Sequence, residues 1–240
     1  MTERWFIKYY FRGNSRMKLY KYLSEDRLDV LTNRRIRFSY PRSVNDPFES
    51  SMMLGDYELD LKKPHERHDE CRKKMTFLSL SRNSGNLLMW SHYAASHTGF
   101  CIEFNRKNNF FSKAQPVIYR RERGVLNGYV SIEKQFNFDK TLLQKPIDWA
   151  YEEEERIFAS DLECEPLIGD NDIFGESINL MEYPVGAIDG VYLGLRSSDI
   201  LKEKISEELL RASAGKIKLY KAETDSKYYQ LRFQEVLYKK

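Results

Sequence analysis

The chain has 240 residues, 41% hydrophobic and 14% aromatic, with a formal net charge of +3. That length can bury one sizeable core, or a core with an appended subdomain, and no run of eighteen apolar residues offers a membrane-spanning helix. Three widely spaced cysteines, Cys71, Cys101 and Cys164, contain no CxxC pair, which argues against a disulfide framework or a Cys-rich zinc site and for a reducing, cytoplasmic setting.

Residues 1–130 carry 24 Lys and Arg against 14 Asp and Glu, and residues 131–240 carry 15 against 22. A basic half can face nucleic acid or a nucleotide phosphate. The basic residues are scattered, so mutual attraction of the two halves within one fold is the favoured reading. The aromatic and basic start, Met1 to Arg12, lacks the apolar stretch and cleavage site of a secretory signal. No linker divides the chain, so one domain is expected.

Met17 to Tyr22 alternates and predicts a strand. Ser24 to Leu31 predicts a short helix capped by Ser24, with acids in its first turn. Arg35 to Ser39 is a second strand, and Pro41 to Glu49 a loop. Residues 64–75 are expected to be helical. Met75 to Ser81 alternates as a strand, Asn86 to Ser96 reads as a helix, and Gly99 to Phe104 as a strand. Pro116 to Tyr119 is a short strand and 131–143 a weak helix. Glu155 to Ala159 is a strand entered through an acidic run. Residues 161–182 hold few core residues and read as a loop or excursion. Ala187 to Leu193 is a strand. Ser198 caps a helix running to Arg211, with Ile200, Leu201, Ile205, Leu209 and Leu210 on one face. Lys216 to Tyr220 and Tyr229 to Tyr238 complete the sheet. Strands outnumber helices without regular βαβ alternation, so the expected class is α+β with a mostly antiparallel or split sheet.

Three distant segments point to a site. Asn45-Asp46-Pro47-Phe48-Glu49 is an Asx-type turn that can hold a ligand at a pocket rim. Leu88 to Phe104 joins a helix to a strand through Gly99 and packs Trp90, His92, Tyr93 and His97 into eight residues. Side chains with an apolar body and a polar tip can stack on or contact a substrate. Trp149 to Arg156 sets four consecutive glutamates inside an aromatic stretch. If that stretch is extended, Glu152 and Glu154 share one face, as do Ser79 and Ser81. Paired carboxylates can do acid/base or cation-stabilising work. His65, His68 and Cys71 share a helical face, but the surrounding positive charge favours a solvated surface. His92 and His97 are badly spaced for one metal. No Walker loop or GxGxxG is present, and no metal is expected.

These segments resemble a bacterial and phage family named domain of unknown function 2971. The matching pieces are Leu19 to Tyr22, Phe38 to Pro41, Asn45 to Glu49, Leu88 to Ala94, Gly99 to Phe104, Val117 to Tyr119, Lys145, Trp149 to Glu152, Glu154, Arg156 and Val191 to Gly194. The resemblance spans roughly residues 17–200 and implies that residues 1–16 are an addition to one α+β domain over 17–240. The family name carries no activity. A second resemblance is to ADP-ribosyltransferases, whose split-sheet folds carry a basic residue on an early strand, a Ser-containing strand and a Glu-x-Glu strand, in that order. Lys21 or Arg37, Ser79-Leu80-Ser81 and Glu152-Glu153-Glu154 stand in that order here.

This second resemblance implies NAD as substrate, with an acceptor protein or nucleic acid, and no membrane partner. It implies an enzyme of the kind used as a bacterial toxin or phage-defence effector. Glu154 would stabilise the oxocarbenium-like centre, Ser79 or Ser81 would support it, and Glu152 would orient the acceptor. His92 would make polar contact. Lys21, Tyr22, Arg37, Asn45 and Asp46 would hold the nucleotide, and Trp90 or Tyr93 would stack on nicotinamide. The alternatives are a non-catalytic module binding a nucleotide or a nucleic-acid end, and a metal-dependent nuclease using Asp46, Glu49, Glu103, Glu152 and Glu154. Arg156 is expected to pair with Glu49 or Glu103 and to fix loop geometry.

Overall fold

The computed structural model describes residues 18–49, 53–54, 74–122, 125–126, 142–213 and 216–238. The N-terminal addition expected over 1–16, the helix expected over 64–75 except for its last residues, and most of that expected over 131–143 lie outside them. In chain order come β1 (Lys18–Leu23), α1 (Asp29–Asn33), β2 (Arg35–Phe38), β3 (Met53–Leu54), β4 (Met75–Ser81), α2 (Leu87–Tyr93), β5 (Phe100–Asn105), β6 (Gln115–Pro116) and β7 (Ile118–Arg120). There follow β8 (Val125–Leu126), β9 (Gln144–Pro146), β10 (Glu154–Ser160), β11 (Glu165–Asn171), β12 (Ser177–Glu182), β13 (Ile188–Leu193), α3 (Asp199–Ser213), β14 (Lys218–Thr224) and β15 (Leu231–Glu235).

Eight strands form one sheet in the order β15-β14-β13-β5-β1-β4-β10-β6. Its pairs are antiparallel except β13 with β14, which α3 connects. The class is α+β, as the strand-rich pattern predicts. The ladders are uneven. β1 pairs with β5 along its whole length, from Lys18–Asn105 to Leu23–Phe100. β4 pairs with β10 from Met75–Ser160 to Ser81–Glu154. Between β1 and β4 the register holds only at Tyr20–Ser81, so the sheet splits there.

Alternation along β1 sends side chains to two cores. Leu19 and Leu23 join the larger core with Leu78, Ile102, Val191 and the α3 residues Leu201, Ile205 and Leu209. Tyr20 and Tyr22 join an aromatic cluster with Met89, Trp90, Cys101 and Tyr192 under α2. Of the five apolar residues expected on one face of α3, Ile200 is 61% exposed, because it lies at the open edge of the stripe. Ser198 caps that helix, its hydroxyl accepting from Leu201 N–H at 3.1 Å.

Other boundaries shift for local reasons. Residues 25–27 form a 3-10 turn before α1, and Ser24 makes no side-chain cap. Asn86 caps α2 by accepting from Leu88 and Met89 N–H. The helix stops at Tyr93 rather than Ser96 because Ala95, Ser96 and His97 take positive φ. Gly99 is then required: a Cβ there would lie 2.1 Å from the Leu23 carbonyl oxygen. Pro116 to Tyr119 divides into β6 and β7, which pair with different strands.

Residues 161–182 are not a loop. They contain the β11–β12 hairpin, which pairs onto β2 as a separate three-stranded sheet. β11 is exposed along its length, so it carries no alternating pattern for a sequence reading to find. Charge holds the hairpin instead: Arg35, Arg37 and Arg42 pair with Glu165, Asp172 and Glu176.

Candidate functional site

The split between β1 and β4 opens into a cleft of about 190 Å³. Lys21 and Tyr22 enter it from β1, Ser79 and Ser81 from β4, and Ser43 and Asn45 from the loop after β2. Tyr93 comes from α2, Lys145 from β9, and Glu152, Glu154 and Arg156 complete the wall. Typical drug-sized ligand pockets occupy roughly 300–1,000 Å³, so this space suits one ring with its sugar and leaves the rest of a ligand outside.

Glu152 and Glu154 reach the cleft by a route other than an extended strand. Residues 147–152 form a 3-10 turn, and Glu153 closes it at φ 45°. The left-handed residue reverses the chain so that its two neighbours both line the cleft while Glu153 bonds Asn83 Nδ2 at 2.9 Å. Ser81 fixes this turn, its hydroxyl donating to the Glu152 carbonyl at 2.6 Å and accepting from Asn83 N–H at 3.0 Å.

The charges are buried and chained together. Tyr93 donates to Glu152 Oε1 at 2.5 Å, and Lys145 Nζ lies 2.5 Å from Glu152 Oε2 and 3.3 Å from Glu154 Oε2. Arg156 Nε and Nη2 donate to the two oxygens of Glu154 at 2.8 and 2.9 Å. Its Nη1 and Nη2 also hold Glu49, and Nη1 reaches the Leu142 carbonyl. The guanidinium sits 4.3 Å from the centre of the Phe77 ring. Arg156 is 1% exposed and therefore uses all of this bonding to remain charged.

Burial alone would raise the Glu154 pKa, but Arg156, then Lys145, and the Arg156 and Ser79 hydrogen bonds pull it down to about 2. Burial would lower Lys145, yet Glu154 and Glu152 raise it. Lys21 has weaker compensation. Its ammonium donates to the Ser79 carbonyl at 3.0 Å, and burial pushes its pKa down to about 8 against the pull of Glu154. At neutral pH the cleft thus presents a cation at its β1 wall and carboxylates that already have cationic partners.

Of the residues picked from sequence, the cleft brings together Lys21, Tyr22, Asn45, Ser79, Ser81, Tyr93, Glu152 and Glu154. Trp90 is fully buried beneath it: its Nε1 donates to the Ser84 carbonyl at 2.8 Å, and its ring stacks on His97. His92 is exposed on the outer side of α2, 6.1 Å ring to ring from Tyr151. Arg37 points to the hairpin and pairs with Asp172. Asp46 is buried in its own turn, accepting from Phe48 N–H at 2.9 Å.

The five carboxylates of the nuclease reading do not share one place, for Glu103 bonds Tyr20, Tyr192 and Lys18. Among the described residues no group of three or more His, Cys, Asp or Glu is arranged to hold a metal ion. Arg156 pairs with Glu49 and Glu154, not with Glu103. The role of Lys145 has no local signal beyond its place among the family-like pieces, since its partners lie seven and nine residues away across a turn.

No curated protein and no solved structure matches the chain. Residues 89–157 match the family described as Protein of unknown function (DUF2971), a segment that carries Tyr93, Lys145, Glu152, Glu154 and Arg156. That match bears out the family resemblance read from the sequence.

Proposed function

We propose that the cleft takes the nicotinamide–ribose end of NAD and transfers its ADP-ribose to an acceptor or to water. One observation carries the reading: Lys21, Ser79 with Ser81, and Glu154 meet in one cleft from three neighbouring strands, β1, β4 and β10. The order is that of the ADP-ribosyltransferase-like pattern in the sequence, and the split sheet supplies the opening. In the reaction the bond between the nicotinamide nitrogen and ribose C1′ breaks, and its electron pair leaves on nicotinamide. An acceptor oxygen bonds C1′ and gives its proton to solvent or to Glu152. Nothing is oxidised or reduced. Glu154, kept ionised by Arg156 and Lys145, would face the positive charge that develops at C1′. Lys21 offers its remaining N–H donors to the nucleotide. The test is nicotinamide release from NAD by the purified protein, with and without cell lysate as acceptor source, and with Glu154→Gln beside it. Release that survives the substitution overturns the role of Glu154.

A second reading has its own support. Both oxygens of Glu154 already accept from Arg156, and Lys145 adds a third contact. A carboxylate so fully engaged suits a site that binds a nucleotide without turning it over. NAD-induced stabilisation without nicotinamide release would select this reading.

A further inference from the structure

Outside the cleft, the outer wall of the 147–152 turn carries Trp149 and Tyr151, the latter packed against the aromatic cluster under α2. Trp149 and Tyr151 are partly exposed and lie 6.1 Å apart, centre to centre. Tyr151 lies 6.1 Å from the exposed ring of His92, and His92 lies 6.3 Å from Tyr93, which lines the cleft. The rim is continuous with the charged centre, because Lys145 Nζ is 3.3 Å from Glu154 Oε2 and 4.8 Å from the centre of the Trp149 ring. A cleft of about 190 Å³ holds one nucleoside end of a dinucleotide at most, so the other end must lie against whatever borders the mouth.

We propose that the Trp149–Tyr151 rim is a purine subsite that stacks the adenine of the dinucleotide whose nicotinamide end occupies the cleft. This rests on the NAD reading for the identity of the ligand, but the rim is measurable without turnover. An aromatic face recognises any base through stacking, worth about tenfold or more in affinity per base, and Lys145 beneath Trp149 fixes the ring's position.

The experiment is titration calorimetry of the full chain with AMP and, separately, with nicotinamide mononucleotide. Trp149→Ala and Trp149→Phe are each compared with the unaltered chain, and thermal melting serves as a check on folding. The expected result is that Trp149→Ala weakens AMP roughly tenfold or more and leaves nicotinamide mononucleotide within about twofold, while Trp149→Phe restores most AMP binding. Equal loss of both ligands would overturn the subsite, since Trp149 would then act only by positioning Lys145. AMP binding indifferent to Trp149→Ala would overturn it too. Trp149-dependent AMP binding with no binding of nicotinamide mononucleotide would support the purine subsite and sink the NAD reading instead.

Discussion

Arg156 grips both carboxylate oxygens of Glu154, the residue two before it on the same face of β10. The same guanidinium holds Glu49 from a loop 107 residues away. One side chain therefore sets the orientation of the residue proposed to face the developing charge and closes the loop that brings Asn45 to the cleft. Removing it leaves two buried carboxylates without their main partner. Arg156→Ala is expected to cost about 3–5 kcal/mol, and Arg156→Lys a substantial part of that, because an ammonium cannot make the two-pronged contacts. Urea denaturation measures both, and an unchanged midpoint for Arg156→Lys would show that the bidentate geometry is not needed.

Glu154→Gln keeps the shape of the side chain and removes its charge. If Glu154 stabilises a cationic transition state, nicotinamide release should fall about a hundredfold or more, corresponding to roughly 3 kcal/mol. Arg156 retains Glu49 in this variant, so the protein should still fold. A melting curve run beside the rate assay separates lost chemistry from lost structure.

The two ends of the pH range test different groups. Glu154 has a folded pKa near 2, lowered from 4.5 against the effect of burial by Arg156 and Lys145. The unfolded chain therefore takes up this proton first. Stability contributed by Glu154 is fully present above about pH 4.5 and is lost as pH falls toward 2. Acid titration of the unfolding free energy should show this drop, and it should be smaller in Glu154→Gln.

Burial sets Lys21 near 8. Below that pH it is an ammonium facing the cleft, and above it a neutral amine. Affinity for a phosphate-bearing nucleotide should therefore decline as pH rises through about 8. Lys21→Arg should move that decline out of the accessible range. Calorimetric affinities at several pH values would measure it, and a profile that is the same in both proteins would remove Lys21 from the binding site.

Gly99 is a packing requirement. A Cβ at this position meets the Leu23 carbonyl at 2.1 Å and Leu23 and Ser24 backbone carbons at 3.0 Å. That neighbouring backbone cannot yield as a flexible side chain would. Gly99→Ala should cost about 3 kcal/mol or more, seen as a lowered denaturation midpoint.

Much of this was legible in the sequence because alternation and turn chemistry are local. β1, β4 and β10 are announced by Met17 to Tyr22, Met75 to Ser81 and Glu155 to Ala159, within a residue of their observed ends, and Gly99 marks the passage from α2 to β5. The β11–β12 hairpin stayed hidden because β11 is exposed along its length and the hairpin pairs with arginines of distant sequence. Trp90 and Tyr93 have similar side-chain chemistry, but three residues of helix separate a ring pressed on His97 from one whose hydroxyl reaches Glu152. No residue type encodes that difference. The direction in which the helix docks decides it. Lys145 was hardest to read, since its importance arises only when the turn at Glu153 folds the glutamates back over it.

The lone rung at Tyr20–Ser81 divides the large sheet into a five-strand leaf and a three-strand leaf. On either side of it β1 pairs with β5 over six successive positions and β4 with β10 over seven, so the seam is where the sheet is most easily parted. A ligand held by Lys21 on one side and by Ser79 or Glu154 on the other would act as a rivet across that seam. Its binding free energy would then stiffen a joint that the backbone leaves nearly unfastened, and occupancy would register as slower amide exchange along both lips.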